Sequence, residues 1–295
     1  VAAAMLPCIR EHFGNPSSSH AYGIKARAIV ERARGQVASL LHCSPGEVLF
    51  TSGGTESNNH AIKGAARALR GKGNHLVTSA VEHPAVTEVC ASLSAEGFEV
   101  SVVPVDAAGL IDLAALERAI GKRTILVSVM HANNEVGTIQ PIGEIVRLAR
   151  RRGILVHTDA AQSVGKVPVD TGGLGVDLLS VAGHKLYAPK GVGALYIREG
   201  VRLATFLHGA GHESGRRAGT ENVIGIAGLG AACEVAGRDL EANGDRMRKT
   251  RDRLQEGLLR SIEDVRVNGH PENRLPNTLS AGFRAVDAGV LLGAM

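Results

Sequence analysis

The chain has 295 residues, 44% of them hydrophobic and 21% charged, with 37 glycines and a net charge of +4. This balance excludes disordered and fibrous classes and fits a soluble α/β enzyme with one large core and a smaller second unit. The densest basic run, Arg147 with Arg150, Arg151 and Arg152, closes a predicted helix, where cations suit the dipole; it reads as a solvated face, and nucleic-acid binding is not expected.

From residue 24 the chain alternates helical and extended patterns. Ala26, Val30, Ala33, Val37 and Leu41 recur at helical spacing, followed by a short apolar strand over 47–51. A helix over 58–70, a strand over 75–80 and a helix from Pro84 to Glu96 come next. Then follow a strand over 99–105, a helix capped by Asp112, and a strand over 124–130. A helix with Pro141 in its first turn runs to Arg152, and strands follow at 154–160, 177–182 and 191–197. Beyond a Gly/His/Arg loop, a long helical region from about 221 to 260 is expected to break at 241–245, "EANGD". Several strands are solidly apolar, which predicts a sheet covered on both faces, and strand–helix–strand order predicts parallel pairing.

The four cysteines, at 8, 43, 90 and 233, are scattered with no C-x-x-C, which argues against a disulfide framework and for a reducing, cytoplasmic setting. No run of ~18 apolar residues is present, so no membrane span is predicted. No signal peptide is visible, although the chain opens on Val1 and its start is expected to lie upstream. No H-E-x-x-H occurs, and the glycines between His208 and His212 spoil a helical pair, so no metal site is expected.

In open α/β sheets, ligands bind outside the carboxyl ends of the strands. Five predicted strand ends here carry uncommon polar clusters: "SGGTESNN", "EHPAV", "HANNE", "DAAQ" and "GHK". The first is a strand-to-helix turn whose backbone N–H groups suit a phosphate, or else a helix start capped by Thr55 or Ser57. It lacks the Lys-Ser/Thr ending of a nucleotide triphosphate loop. Asp159 closes an apolar strand and needs a partner, either a cationic ring nitrogen or an arginine. His83 is either a satisfied loop histidine or a flat ring stacked on another. Lys185 sits where a strand ends in a glycine-rich loop, and Lys190 in "APKG" competes with it. A phosphate cradle, a strand-end carboxylate, an aromatic stacker and a lysine on one rim match what pyridoxal 5'-phosphate asks of a protein. Lys185 would then form an imine with the cofactor, its charge relieved by a lowered pKa.

"FTSGGTESNNHAIKG", "VEHPAV", "HANNEVG", "HTDAAQSVGKVPVD", "GHKLYAPKGVGALYI" and "GAGHESGRRAGTENV" together resemble the cysteine desulfurase family, class V aminotransferase-like enzymes of fold-type I that include selenocysteine lyases. The resemblance covers nearly the whole chain. It implies a large, mostly parallel cofactor domain over 21–237 and a small α+β domain, incomplete at both ends, from 1–20 and 238–295. It implies that Lys185 carries the cofactor, Asp159 pairs with the ring nitrogen, and Gln162 hydrogen-bonds the ring hydroxyl. His83 would stack on the ring and shuttle protons, Gly54, Thr55 and His184 would hold phosphate, and Asn134 would lie near ring and substrate. Thr220 matches a residue that reaches the partner subunit's phosphate, implying a homodimer.

The implied reaction removes sulfur from L-cysteine, giving L-alanine and an enzyme persulfide for a sulfur-acceptor protein in iron–sulfur cluster assembly or thio-modification. Three departures qualify it. None of the four cysteines matches the family's nucleophile, which lies beyond "RLPNTLSAGFRAVDAGVLLGAM". The opening strand and the carboxylate-gripping arginine are also unmatched. The chain is therefore expected to be a fragment with little desulfurase activity of its own. Ala182 stands where many desulfurases have a serine that donates to phosphate; selenocysteine lyases can also be apolar there, which slightly raises the alternative of an L-selenocysteine lyase. A catalytically silent subunit that binds a partner is the rival of another class.

Overall fold

Seven apolar runs pair into one sheet in the order β1-β7-β6-β5-β4-β2-β3 in the computed structural model, which describes residues 1–294. The chain opens with α1 (Ala2–Arg10) and α2 (Ala21–Leu41), then β1 (Val48–Thr51), α3 (Gly54–Ala68), β2 (His75–Ser79) and α4 (Pro84–Ala95). It continues through β3 (Glu99–Val103), α5 (Leu113–Ala119), β4 (Thr124–Ser128), α6 (Ile142–Arg150) and β5 (Leu155–Asp159). A one-turn α7 (Thr171–Leu174) precedes β6 (Leu178–Ala182) and β7 (Gly193–Ile197). After a long loop come α8 (Val223–Arg238), α9 (Leu240–Ser261), the antiparallel pair β8 (Val265–Asn268) and β9 (Ser280–Phe283), and α10 (Ala288–Ala294).

The inner strands are buried because the sheet has two covered faces, whereas the edge strand β3 is largely open to solvent. Val48, Val77, Val127, Leu179 and Tyr196 face a core shared with α2, α6 and α8, while Leu49, Leu76, Leu126, Leu178 and Leu195 face one shared with α3 and α4. The predicted parallel pairing holds from β3 through β6 but fails at β7, which runs antiparallel to both β6 and β1. Only a 3-10 turn (Gly183–Leu186) and a glycine loop separate β6 from β7, and that is too short for a parallel crossover.

The helix signals acted as expected at α5, where Asp112 Oδ1 accepts from Ala115 N at 2.9 Å. They misplaced one break. Residues 241–245 are helical, and the chain instead leaves helical geometry at Asp239 (φ −111°, ψ 17°). Gly244 is tolerated because α9 is already committed on both sides of it and packs that position close to the Lys166 carbonyl. Helix α1 lay outside the predicted elements because Pro7 falls within it. It packs on α8, with Cys8 buried in that core and Met5 beside Gly228. The division into 21–237 against 1–20 and 238–295, whose last residue Met295 lies outside the described residues, remains a proposal.

Two devices fix the rim at the strands' carboxyl ends. His157 on β5 bonds Ser128 on β4 (2.8 Å) and Ser180 on β6 (3.0 Å), and burial pushes its pKa down to about 3. A neutral imidazole therefore ties three neighbouring strands. Elsewhere, Arg34 of α2 makes a buried two-pronged bond to Glu213 (2.7 and 2.9 Å), and Glu213 also accepts from Phe50 N at 2.9 Å. That carboxylate covers the outer edge of β1 and anchors the loop before α8, although Glu213 and Ser214 both adopt positive φ (49° and 58°). Replacing Arg34 by alanine strands a buried carboxylate, so urea unfolding is expected to show a loss of about 3–5 kcal/mol. A loss of under about 1 kcal/mol would show that the pair is not an anchor.

Candidate active site

Eight of the nine residues singled out from the sequence, namely Gly54, Thr55, His83, Asn134, Asp159, Gln162, His184 and Lys185, line a single cavity of about 630 Å³ at the strands' carboxyl ends. The ninth, Thr220, is exposed and does not line it. A second cavity of about 650 Å³, walled by His60, Arg198, Arg202 and Arg216 among others, contains none of the nine.

One wall is the start of α3. Helix geometry leaves the N–H groups of Gly54, Thr55 and Glu56 without acceptors inside the helix, and no side chain caps it. Neither Thr55 nor Ser57 acts as the cap: Ser57 Oγ instead bonds Ala194 O (3.0 Å) and Thr51 Oγ1 (2.8 Å). Gly193 on β7 lets this turn sit close to the sheet, since a Cβ there would lie 2.6 Å from Val181 O and 2.7 Å from Gly53 Cα. Lys190 and His184 share the cavity wall, and burial and the charges of Lys185 and Lys190 hold the His184 pKa below its ordinary value. Uncapped N–H donors and two ammonium groups make this an anion-binding wall.

Asp159 forms the floor at the end of β5. Its Oδ2 accepts from Asn58 Nδ2 at 2.6 Å and its Oδ1 from Ala161 N at 2.9 Å. It forms no ion pair among the described residues, so the arginine partner considered from the sequence does not exist there. Burial raises its pKa, against the opposing pull of the Ala161 N–H, Asn58 and the His83 charge. A buried carboxylate satisfied by two neutral donors and facing an open cavity suits a cationic N–H from a ligand. Asn58 was missed in the sequence reading; its signal is helical spacing, four residues after Gly54 on α3.

His83 caps α4. Its Nδ1 accepts from Ala85 N at 3.0 Å, so the neutral ring carries its proton on Nε2. The preceding Glu82, also missed, is half-buried with its carboxyl turned inward, Oε1 accepting from Ser79 Oγ (2.5 Å) and Met130 N (2.9 Å) and Oε2 unpartnered. Burial pushes its pKa up to about 8, with the charge of Asp159 adding to the rise. Glu82 thus ties the turn carrying His83 to the end of β4, while Asn133 Nδ2 donates to Val81 O at 3.1 Å and holds the loop of Asn134 against the same turn.

Lys185 is solvent-accessible on the cavity wall, carried by the 3-10 turn that follows β6. The four thiols are free and none lines the cavity. Burial raises Cys8 and pushes Cys43, Cys90 and Cys233 up to about 12. No cluster of three metal-ligating side chains occurs among the described residues. None of their helices is long and apolar enough to cross a membrane.

The "Aminotransferase class-V" family model matches residues 1–292. The chain is 48% identical over 292 residues to the cysteine desulfurase IscS of Dictyoglomus turgidum, covering 99% of this chain and 74% of that protein. Against the human cysteine desulfurase the identity is 48% over 298 residues, covering 100% of this chain and 65% of that protein. Among solved structures, a NifS-like protein superposes with a TM-score of 0.95 at 41% identity, covering 99% of this chain and 80% of that one. SspA in complex with cysteine gives 0.87 at 36% identity, covering 99% of this chain and 82% of that one.

The raised pKa of Glu82 has a consequence for stability. Between about 4.5 and about 8 the folded chain keeps a proton that the unfolded chain releases, so this group's contribution to stability falls as pH rises through that window. Glu82→Gln keeps a neutral side chain of the same shape and removes that dependence. Relative to the unsubstituted chain it should gain stability, on the order of a few kcal/mol, from pH 5 to pH 8 in urea unfolding. An equal difference at both pH values would show that Glu82 is already ionised in the fold.

Proposed function

This chain belongs to the class V aminotransferase family, among its cysteine desulfurases, and from that premise we propose that the cavity holds pyridoxal 5'-phosphate and takes L-cysteine as substrate, with Lys185 and His83 as its catalytic residues. The observation that carries the site assignment is the buried Asp159 carboxylate, held by neutral donors only, on the same cavity as Lys185 and the uncapped start of α3.

Bound pyridoxal phosphate supplies an electron sink that weakens bonds to the substrate's α- and β-carbons. Lys185 Nζ would be the amine that holds the cofactor. Asp159 would favour a proton on the cofactor's ring nitrogen by its negative charge. Gly54 and Thr55 would offer backbone N–H groups to the phosphate, with His184 beside them. Gln162 would donate to the ring oxygen, and Asn134 would line the substrate side. His83 is positioned to lie over the ring and exchange a proton through Nε2, because Nδ1 is committed to the backbone of Ala85.

The products in this reading are L-alanine and a persulfide. The accepting thiol is none of Cys8, Cys43, Cys90 or Cys233, since all four lie off the cavity and burial keeps them protonated. Thr220, exposed on the loop that Glu213 anchors, is read as reaching a second copy's phosphate in a homodimer. A sulfur-acceptor protein in iron–sulfur cluster assembly is the expected recipient, and the free thiols favour a cytoplasmic setting.

Two outcomes are expected. Borohydride reduction of the cofactor-loaded protein should leave the cofactor's mass on the peptide containing Lys185, and Lys185→Ala should abolish that label; a label on Lys190 would overturn the assignment. After exposure to cysteine, peptide mapping should find added sulfur on none of the four thiols named above, and a persulfide on any of them would refute that part of the reading.

A further inference from the structure

After β5 the chain folds into a tight turn. Ser163 N and Val164 N donate to Ala160 O, and Lys166 N and Val167 N to Ser163 O. Gly165 reverses the direction at φ +75°, and a Cβ there would strike Leu186, the neighbour of Lys185. The turn is therefore packed on the turn that carries Lys185. It also brings Lys166 back over Gln162, and Lys166 Nζ donates to Gln162 Oε1 at 3.0 Å.

Lys166 is half-buried and makes no ion pair with a carboxylate among the described residues. The charged group whose field reaches it is Lys185, and Gly244 of α9 lies beside its backbone carbonyl. Burial first, then the charge of Lys185, bring its pKa down to about 8. A lysine placed beside another cation without a counter-charge is costly, and a surface position would have avoided the cost. The bond it makes has a fixed polarity, however. Below about pH 8 the side chain is an ammonium, which only donates, so Gln162 must turn its carbonyl oxygen to Lys166 and its NH₂ the other way. Gln162 lines the cavity.

We propose that Lys166 is a positioning residue that locks the Gln162 amide with its NH₂ presented to the cofactor's ring oxygen. The inference rests on the cysteine desulfurase reading above, and it adds a residue that does not itself touch the cavity. Left unheld, the amide flips between two orientations and offers a repelling carbonyl in one of them. An N–H donor at the ring oxygen favours the form in which that oxygen no longer shares the proton on the lysine nitrogen. Losing the donor therefore raises the pH midpoint of the bound cofactor's absorbance.

The test is a spectrophotometric pH titration of the cofactor-loaded, full-length protein. Lys166→Met should raise the midpoint by about one unit, the usual size of a lost donor or neighbouring charge at such a site. Lys166→Arg should restore most of the shift. In a Gln162→Leu background, Lys166→Met should shift the midpoint by less than half as much, because the two residues act as one unit. An unchanged midpoint in Lys166→Met, or an equal shift in the Gln162→Leu background, overturns the proposal. Failure of the parent reading looks different: the unsubstituted protein then gives no cofactor absorbance, or Lys185→Ala keeps it.

Discussion

A carboxylate buried at the floor of a cavity must be matched by positive charge or protonated, and Asp159 is buried at the end of a central strand with only Asn58 and a backbone N–H to satisfy it. The chain supplies no arginine or lysine to pair with it among the described residues. The inward-turned carboxyl of nearby Glu82 adds to the cost, since each carboxyl raises the energy of ionising the other. A cofactor with a basic ring nitrogen would resolve the mismatch, because the proton it brings would make the carboxylate half of an ion pair. The rest of the cavity can be understood as placing that ring: an anion wall at one end, an amine at the wall, and a histidine whose protonation pattern is set by its own helix.

The fold delivers these groups with little freedom. A sheet covered on both faces leaves its strand ends as the place where polar side chains can gather, and parallel order from β3 to β6 sends successive ends to the same rim. His157 joins β4, β5 and β6 just behind that rim, and Glu82 joins the ends of β2 and β4. Polar groups that would be expensive singly are thus bonded to each other across strands, which makes the rim rigid. Rigidity matters here because proton transfer and ring orientation both fail with displacements near an ångström.

Much of this was legible in the residues. Solid apolar runs announced a covered sheet, and the polar clusters after five of them announced the rim. What escaped notice did so for physical reasons. Pro7 hid a helix that tertiary packing on α8 stabilises regardless. Gly244 looked like a helix break because glycine is a weak helix former, yet α9 runs straight through it. The antiparallel turn of β7 depended on the shortness of a connection whose polar residues drew attention to chemistry instead. Asn58, Glu82 and Lys166 act through partners far away in sequence or through an amide's orientation, and a one-dimensional pattern shows neither. Thr220 marks the limit from the other side: the fold leaves it exposed and away from the cavity.

Nitrogen NMR of the bound cofactor, labelled at its ring nitrogen, tests the central claim most directly. Pairing with Asp159 predicts a protonated ring nitrogen in the bound cofactor at about pH 8, and a neutral one in Asp159→Asn. A neutral nitrogen in the unsubstituted protein, or a protonated one that survives in Asp159→Asn, would contradict it.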